Sequence, residues 1–301
     1  MKTLTKTSLV AACVAANLPG AFAAPAQAAL PVGSHYPVGA EGLNGASLPP
    51  PGFYLRDYNF FYTADKVNGL PVKANLFAYV QAPRLIWMTK QEILGANYGM
   101  DIIVPFAYKD VNAAFGIDQQ LNLADLQVEP VLFSWHRQQF DFSAGYAVWA
   151  PSGHFDTSTP VKQLTSPGSG FWSHMLTLGA VWHPDEQKTW SLSLLGRYEL
   201  CHEQQDTHVT PGNMGTLEWG VSKSVAQGVD VGVVGYYQQQ ITKDSGVGAS
   251  TEHSRVVGVG PEISVFWQKP ALFTSLRYEY EAVAKDRPKG NTIVLTLTKP
   301  F

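Results

Sequence analysis

The sequence predicts an all-β protein, a transmembrane antiparallel β-barrel of about 12 strands, on three observations. Segment after segment alternates apolar and polar residues with a period of two, as β-strands do. The joins between these segments alternate between short and long. Only 15% of the 301 residues are charged, against about 25% in soluble domains. Beyond the N-terminus no stretch approaches the roughly 20 apolar residues of a transmembrane helix, so the low charge favours a barrel.

Residues 1–28 are predicted to be a secretory signal peptide. Lys2 and Lys6 supply its positive charge, and residues 9–18 supply its apolar core. Two small-residue triplets, "AFA" ending at residue 23 and "AQA" ending at residue 28, are candidate cleavage sites. We therefore expect the chain to cross the inner membrane before it folds.

The two cysteines set a limit on covalent cross-linking. The run "VAAC" ending at Cys13 is an alternative lipoprotein cleavage box, although the apolar run before it is short and continues past it. If Cys13 leaves with the signal, Cys201 is the one cysteine that remains, so no internal disulfide framework is expected. Stability must then come from another source, such as a closed ladder of hydrogen bonds.

Residues 29–51 are rich in Gly, Pro, Ala and Ser and end in "SLPPPG". This composition, without any periodic pattern, predicts an extended periplasmic arm. Residues 52–301 then form the outer-membrane β-barrel domain. Whether the arm leaves the barrel open or plugs it is not decided by the sequence.

The strands begin with "GFYLRDYNFFY" (52–62), which carries Tyr54, Tyr58, Phe60 and Tyr62 on one parity. The clearest alternation is "TWSLSLLGRYEL" (189–200), where Leu192 and Leu194 point to one side of the strand and Ser191 and Ser193 to the other. We predict twelve strands, near 53–62, 73–82, 92–108, 121–136, 139–150, 171–183, 189–201, 214–223, 229–242, 253–267, 271–283 and 291–301. A soluble β-sandwich alternates in the same way and is the rival interpretation.

The joins decide between the two interpretations. Long joins are expected near 63–72, 109–120, 151–170, 202–213, 243–252 and 284–290, and short ones near 137, 184, 224 and 268. An outer-membrane barrel has short periplasmic turns and long extracellular loops, whereas a sandwich has no reason to sort its loops by length. The longest join, 150–172, either folds inward to narrow a pore or is an ordinary solvated loop.

The C-terminal segment "IVLTLTKPF" (293–301) alternates up to its last residue. Phe301 is therefore predicted to end the closing strand, to face lipid, and to serve as the membrane-insertion signal for the barrel-assembly machinery. Several tryptophans and tyrosines lie near predicted strand ends, where outer-membrane barrels place their interfacial girdles.

Five stretches of the predicted mature chain together carry a family resemblance: "HYPVGAEGLNGASLPPPGFYLRDYNFFYTAD", "LADLQVEPVLFSWHRQQFDFSAGYAVWAPSGHFD", "VVGYYQQQITKDSG", "RVVGVGPEISVFW" and the final "KPF". They resemble the family of the meta-pathway of phenol degradation. One departure is Ala124, where the family usually has Gly before an acid. The resemblance implies an outer-membrane channel or uptake protein for small hydrophobic or aromatic compounds.

Eight charged residues on polar strand faces are predicted to line the lumen, because a charge facing hydrocarbon is costly. They are Glu129, Arg197, Glu199, Glu218, Arg255, Glu262, Arg277 and Glu279. Paired acids and bases could fill a narrow barrel, or they could set the selectivity of a pore. The sequence leaves both roles open.

Signals for other functions are weak. Ser173 and His174 are adjacent, so on a strand they point to opposite faces and cannot form a nucleophile–base pair. The sequence shows no metal-ligand spacing, phosphate loop or basic nucleic-acid patch, so we expect no enzyme, cofactor, metal or nucleic acid. The expected partners are outer-membrane lipid, the barrel-assembly machinery and a small hydrophobic or aromatic solute. An outer-membrane lipid-modifying enzyme, with His174 facing lipid, and a periplasmic apolar-ligand-binding barrel remain alternatives.

Overall fold

The computed structural model describes residues 32–68, 73–114 and 116–301, and the predicted signal peptide lies outside them. The regular structure of the described chain is antiparallel β-strand, with one short helix. The strands are β1 (Gly52–Val67), β2 (Lys73–Ile93), β3 (Ala96–Ile103), β4 (Phe106–Ala113), β5 (Gly116–Leu123), β6 (Leu126–His136), β7 (Phe140–Ala150), β8 (Ser173–Trp182), β9 (Trp190–Cys201), β10 (Met214–Ala226), β11 (Val229–Gln240), β12 (Arg255–Trp267), β13 (Leu272–Lys285) and β14 (Pro288–Pro300).

The strands close into a barrel because β1 pairs with β2 on one side and with β14 on the other. Strands β3 and β4 both pair with β2, one after the other along its length, and are two halves of the third barrel strand. In the same way β6 pairs with β3 and β5 with β4, which makes them halves of the fourth. The barrel thus has 12 strands, and the predicted fold class is confirmed.

The outer surface is apolar and the inner surface polar, as the alternation predicts. Strand β9 illustrates this, because Leu194 is 51% exposed whereas its neighbour Ser193 is 7% exposed. Closure gives every strand except β5 a partner on both sides over most of its length, which satisfies the backbone groups that hydrocarbon cannot. No helix within the described ranges is long and apolar enough to span a membrane.

The third and fourth barrel strands are interrupted at the same height, at 104–105 and 124–125. Pro105 has no amide hydrogen, so the ladder loses a donor there. The Ala124 amide donates to the Pro105 carbonyl at 2.9 Å, which keeps the two interruptions side by side. Strand β5 lies beyond the interruption and pairs with β4 alone, since β7 has already ended.

The joins differ in part from the prediction. The turns at one end are 94–95, 137–139, 183–189, 227–228 and 268–271, and the other end carries the long connections 151–172, 202–213 and 241–254. Strand β2 continues past Pro83 to Ile93, and Leu94 and Gly95 then form a two-residue turn with φ of 53° and 72°. The joins predicted at 109–120 and 284–290 are mostly strand, because β4–β5 and β13–β14 are joined by two-residue connections.

The long connection 151–172 contains the helix α1 (Pro160–Thr165). Thr159 caps it by accepting a hydrogen bond from the Lys162 amide, and a proline occupies its first turn. Val161 of α1 packs in a small apolar cluster with Val67, Ala74, Val111 and Ala113. This cluster fixes the connection against the end of the barrel that carries the long loops.

Residues 32–51 lie inside the barrel. The sequence predicts a periplasmic arm here, so the arm exists but its position differs from the prediction. The Ser47 hydroxyl donates to Asp141 at 2.8 Å, close to the short-turn end. His35 reaches Glu199, near the opposite end. The arm therefore runs the height of the lumen and plugs it, with its connection to β1 at the short-turn end, which is periplasmic in outer-membrane barrels.

Candidate functional site

Glu41 of the arm lies at the centre of the lumen between three arginines of the wall. Its carboxylate is 3.1 Å from Arg56 Nη1, 3.1 Å from Arg84 Nη1 and 3.3 Å from Arg197 Nη2. Burial by itself would favour the neutral acid, but the three guanidinium groups outweigh it and lower the pKa of Glu41 to about 2. Glu41 is thus a permanent anion that ties the arm to β1, β2 and β9.

Carboxylates of the wall hold the backbone of the arm. Glu218 accepts hydrogen bonds from the Gly39 and Ala40 amides at 2.8 and 3.0 Å and from the Tyr36 hydroxyl at 2.7 Å. Glu262 accepts the Leu43 amide at 2.9 Å. Charge-assisted bonds of this kind are stronger than neutral ones. The close approach requires glycine at Gly39, where φ is +80° and a Cβ atom would collide with Glu279.

His35 anchors the far end of the arm between two carboxylates. Its Nδ1 is 2.8 Å from Glu199 and its Nε2 is 3.2 Å from Asp125, and its ring stacks on Trp149. Burial alone would lower the pKa of His35, but the adjacent carboxylates of Asp125 and Glu199 raise it to about 9. The imidazole is therefore protonated at neutral pH.

Asp125 connects the arm to the long connection 151–172. Besides His35, its carboxylate accepts the Gly153 amide at 2.9 Å and the Ser169 amide at 2.6 Å. Position 153 must be glycine, because a Cβ atom there would collide with the backbone of Ala124. At the interruption of the fourth barrel strand, backbone groups of the connection 151–172 thus take the place of a neighbouring strand.

Ser173, His35 and Asp125 lie next to one another in space. Ser173 Oγ is 2.9 Å from His35 Nδ1, and Asp125 lies on the other side of the imidazole ring. Ser173 is 0% exposed and its hydroxyl donates a hydrogen bond to Glu199 at 2.6 Å, so it helps to position the carboxylate that anchors the arm. His174, its neighbour in the chain, points to the outside and contacts the Tyr146 hydroxyl at 2.7 Å. The two residues lie on opposite faces, as predicted.

An inner cavity of about 240 Å³ lies between the arm and the wall formed by β1 to β4 and β6 to β9. The arm contributes His35, Tyr36 and Glu41. The apolar part of the wall consists of Phe60, Val80, Ala82, Ile103, Ala107, Trp149 and Met175. A concave space with apolar walls and a few polar groups is the usual form of a small-molecule site.

An outer cavity of about 390 Å³ lies towards the long loops. Its apolar lining includes Tyr62, Leu76, Phe155, Leu164 and Met214. Phe155 and Leu164 belong to the long connection 151–172, which thus contributes to the lumen. The two cavities share Ser34, Tyr36, Pro37, Phe60, Val80, Lys109 and Ser169, so they adjoin.

Seven of the eight residues predicted to line the lumen do face it, and six of these are at most 5% exposed. They are Glu129, Arg197, Glu199, Glu218, Glu262, Arg277 and Glu279. Arg255 does not join them. It is exposed at the start of β12, and its odd number puts it on the face of Val257 and Val259, so the alternation itself contradicts the predicted inward position.

The sequence analysis missed His35, Glu41, Arg56, Arg84, Asp101, Lys109 and Asp125. Arg84 lies in β2 beyond Pro83, where no strand was expected. Arg56 shares the parity of Tyr54 and Tyr58, and this aromatic face turns inward because the Tyr58 hydroxyl contacts Glu41. The parity that Arg56 shares with these tyrosines was the one signal in the sequence that it faces the lumen. For His35 and Glu41 there was no such signal, since the arm has no periodic pattern.

A closed 12-strand barrel with an apolar exterior and a charged, partly filled lumen defines a β-barrel of the bacterial outer membrane with a channel-like fold. The chain belongs to the family described as "Putative MetA-pathway of phenol degradation", whose model matches residues 59–297. The resemblance found in the sequence is thereby confirmed.

Two solved structures show the same fold at low identity. The COG4313 outer membrane channel from Pseudomonas putida F1 is 14% identical, with a TM-score of 0.73 over 85% of this chain and 97% of that one. The beta domain of the Bordetella autotransporter BrkA is 10% identical, with a TM-score of 0.50 over 84% of this chain and 100% of that one. Among curated proteins, no sequence relative was found.

Proposed function

We propose that this protein carries small hydrophobic or aromatic compounds across the outer membrane, for use in catabolism. The observation that supports it is the pair of adjoining cavities along an apolar stretch of the inner wall on β1 to β4, reaching from the long-loop end to the middle of the lumen. A route for charged solutes would instead be lined by charge throughout. The family description, which refers to phenol degradation, agrees with this substrate class.

The arm closes the route at the level of Glu41, so passage requires the arm to move. Its contacts with the wall are mainly ionic and hydrogen-bonded, and only a few of its apolar side chains are buried, among them Tyr36, Ala40, Leu43 and Ala46. Such contacts can be exchanged for water one at a time, whereas a packed apolar core separates as a unit. Solutes would then pass beside the arm, along the apolar wall.

The two alternatives have less support. A lipid-modifying enzyme needs a nucleophile beside His174 on the lipid face, and in the described part of the chain the hydrogen-bond partner of its ring is Tyr146. A periplasmic binding barrel would not need the apolar exterior seen on β9. Hydrolysis assays with a His174→Ala control would test the first alternative.

Uptake of toluene by intact cells tests the proposal. Ala82 lines the inner cavity, whereas Ala180 lies on the outward parity of β8, so Ala82→Trp and Ala180→Trp are a matched pair. Filling the cavity should reduce uptake to the level of cells without the protein, while Ala180→Trp should keep it. Heat-modifiable gel mobility measures the amount of folded barrel in the outer membrane, and the strains are compared at equal amounts. Equal uptake with and without the wild-type protein would refute the proposal.

A further inference from the structure

Lys109 occupies the boundary between the two cavities. It lies on β4, half-buried, and its side chain lines both the inner and the outer cavity. Its ammonium group donates a hydrogen bond to the Ser166 carbonyl at 2.6 Å. An ammonium carries three donors, so this one bond does not exhaust its capacity.

Lys109 differs from the other cations of the lumen in its lack of a carboxylate partner. Arg84, Arg197 and Arg277 each have a carboxylate within 4.0 Å, but within the described ranges no carboxylate lies that close to Lys109. Asp125 acts on it only from a distance and is already engaged by His35 and two backbone amides. An ammonium away from bulk water is costly without an anion.

The other cations that line the inner cavity each lie beside at least two carboxylates. His35 lies beside Glu199 and Asp125, Arg84 beside Asp101 and Glu129, and Arg197 beside Glu41 and Glu218. A ligand with one negative charge would supply the partner that Lys109 lacks among the described residues.

We propose that Lys109 recognises the carboxylate of a small aromatic acid whose ring occupies the inner cavity. The proposal rests on the proposed function, since it assumes that the cavity admits aromatic solutes, and it names their polar group. A cavity of about 150 Å³ can hold benzene, so the inner cavity has room for one substituted ring. Phe60 and Val80 flank Lys109 in both cavities and supply the apolar contact for that ring.

Calorimetry with the purified full-length protein tests the proposal, with benzoate and its neutral analogue benzyl alcohol as probes. Benzoate should bind at least about tenfold more tightly than benzyl alcohol, because hydrogen bonds to charged groups are the stronger ones. Lys109→Met should remove this advantage and leave benzyl alcohol binding unchanged. Lys109→Arg should keep most of it. Lys223→Met, on the exposed side near Trp190, is the matched control and should change neither affinity.

The outcomes separate this proposal from the function on which it rests. Binding of benzyl alcohol without a preference for benzoate, or a benzoate preference that survives Lys109→Met, overturns the role of Lys109 and leaves the proposed function standing. If neither probe binds the wild-type protein, both fail. Should Lys109→Met not fold, Lys109→Gln takes its place as the uncharged variant, and a benzoate preference that survives in Lys109→Gln overturns the role of Lys109.

Discussion

His35 Nε2 and Asp125 Oδ2 lie 3.2 Å apart, and this contact joins three parts of the molecule. His35 belongs to the arm, Asp125 interrupts the fourth barrel strand, and the other bonds of Asp125 hold Gly153 and Ser169 of the long connection. Movement of the arm at this point therefore removes one of the groups that position the loop. The first prediction follows from the protonation of His35.

Docking of the arm should weaken at alkaline pH. His35 has a pKa of about 9 in the docked arm and an ordinary value near 6.5 when released. Its contribution is thus fully present below about pH 6.5 and is lost as the pH rises through about 9, with a magnitude on the order of 3 kcal/mol. Open events in planar-bilayer recordings should become more frequent over this range. His35→Gln should show frequent opening at every pH, and a wild type that does not respond to pH would contradict the prediction.

Glu41→Gln should loosen the arm and make the open pore more anion-selective. The change removes the negative charge shared by Arg56, Arg84 and Arg197, and breaking a buried ion pair typically costs about 3–5 kcal/mol. Reversal potentials in a salt gradient measure the selectivity, and limited proteolysis of the arm measures its release. Glu203→Gln, in an exposed loop, is the control and should change neither.

Neutralising Arg197 and Arg277 by Gln should raise the preference of the pore for cations, because both guanidinium groups face the lumen. Arg255→Gln should leave the selectivity unchanged, since Arg255 is exposed on the outward face of β12. Uptake of an uncharged aromatic should change far less in all three variants, because its barrier is steric and apolar. Equal shifts from Arg255 and Arg277 would refute the assignment of their faces.

Deletion of Phe301, or Phe301→Asp, should lower the amount of folded barrel in the outer membrane. Phe301 is 80% exposed at the end of β14, and its amide donates to the Phe53 carbonyl at 3.0 Å, so the chain is in register with β1 up to its last residue. The intensity of the heat-modifiable band in membrane fractions reports folding. Val247→Asp, in a loop, is the control. Wild-type amounts of folded protein in the Phe301 variants would disprove its role as an insertion signal.

The sequence allowed the barrel to be predicted because strand alternation is a local signal. In β9 and β13 every second residue reports its face, and closure then follows because hydrocarbon leaves the edges of an open sheet unpaired. Local reasoning failed where context reverses it. Pro83 resembles a strand end but lies within β2, and the tyrosines of β1 are apolar enough to face lipid yet turn inward because their hydroxyl groups have partners.

The site could not be predicted, because it depends on pairs that lie far apart in the chain. Glu41 meets Arg197, and His35 meets Asp125 and Glu199, through an arm that has no hydrophobic period. Composition identified the arm as a distinct segment but carried no information on its partners. Seven charged positions on the strands were found by parity, whereas their partners on the arm appear only in three dimensions.

The position of the arm has a consequence for assembly. The arm directly precedes β1, yet its partners Glu199, Glu218 and Glu262 belong to β9, β10 and β12, which are made much later. The arm therefore cannot dock while the N-terminal half of the chain emerges, and it must wait beside an incomplete sheet. Because β1 and β14 come first and last in the chain, we expect their seam to form last, and the arm is then enclosed as that seam forms, with no need to be threaded through a finished ring. Barrel biogenesis and plug insertion are then a single event.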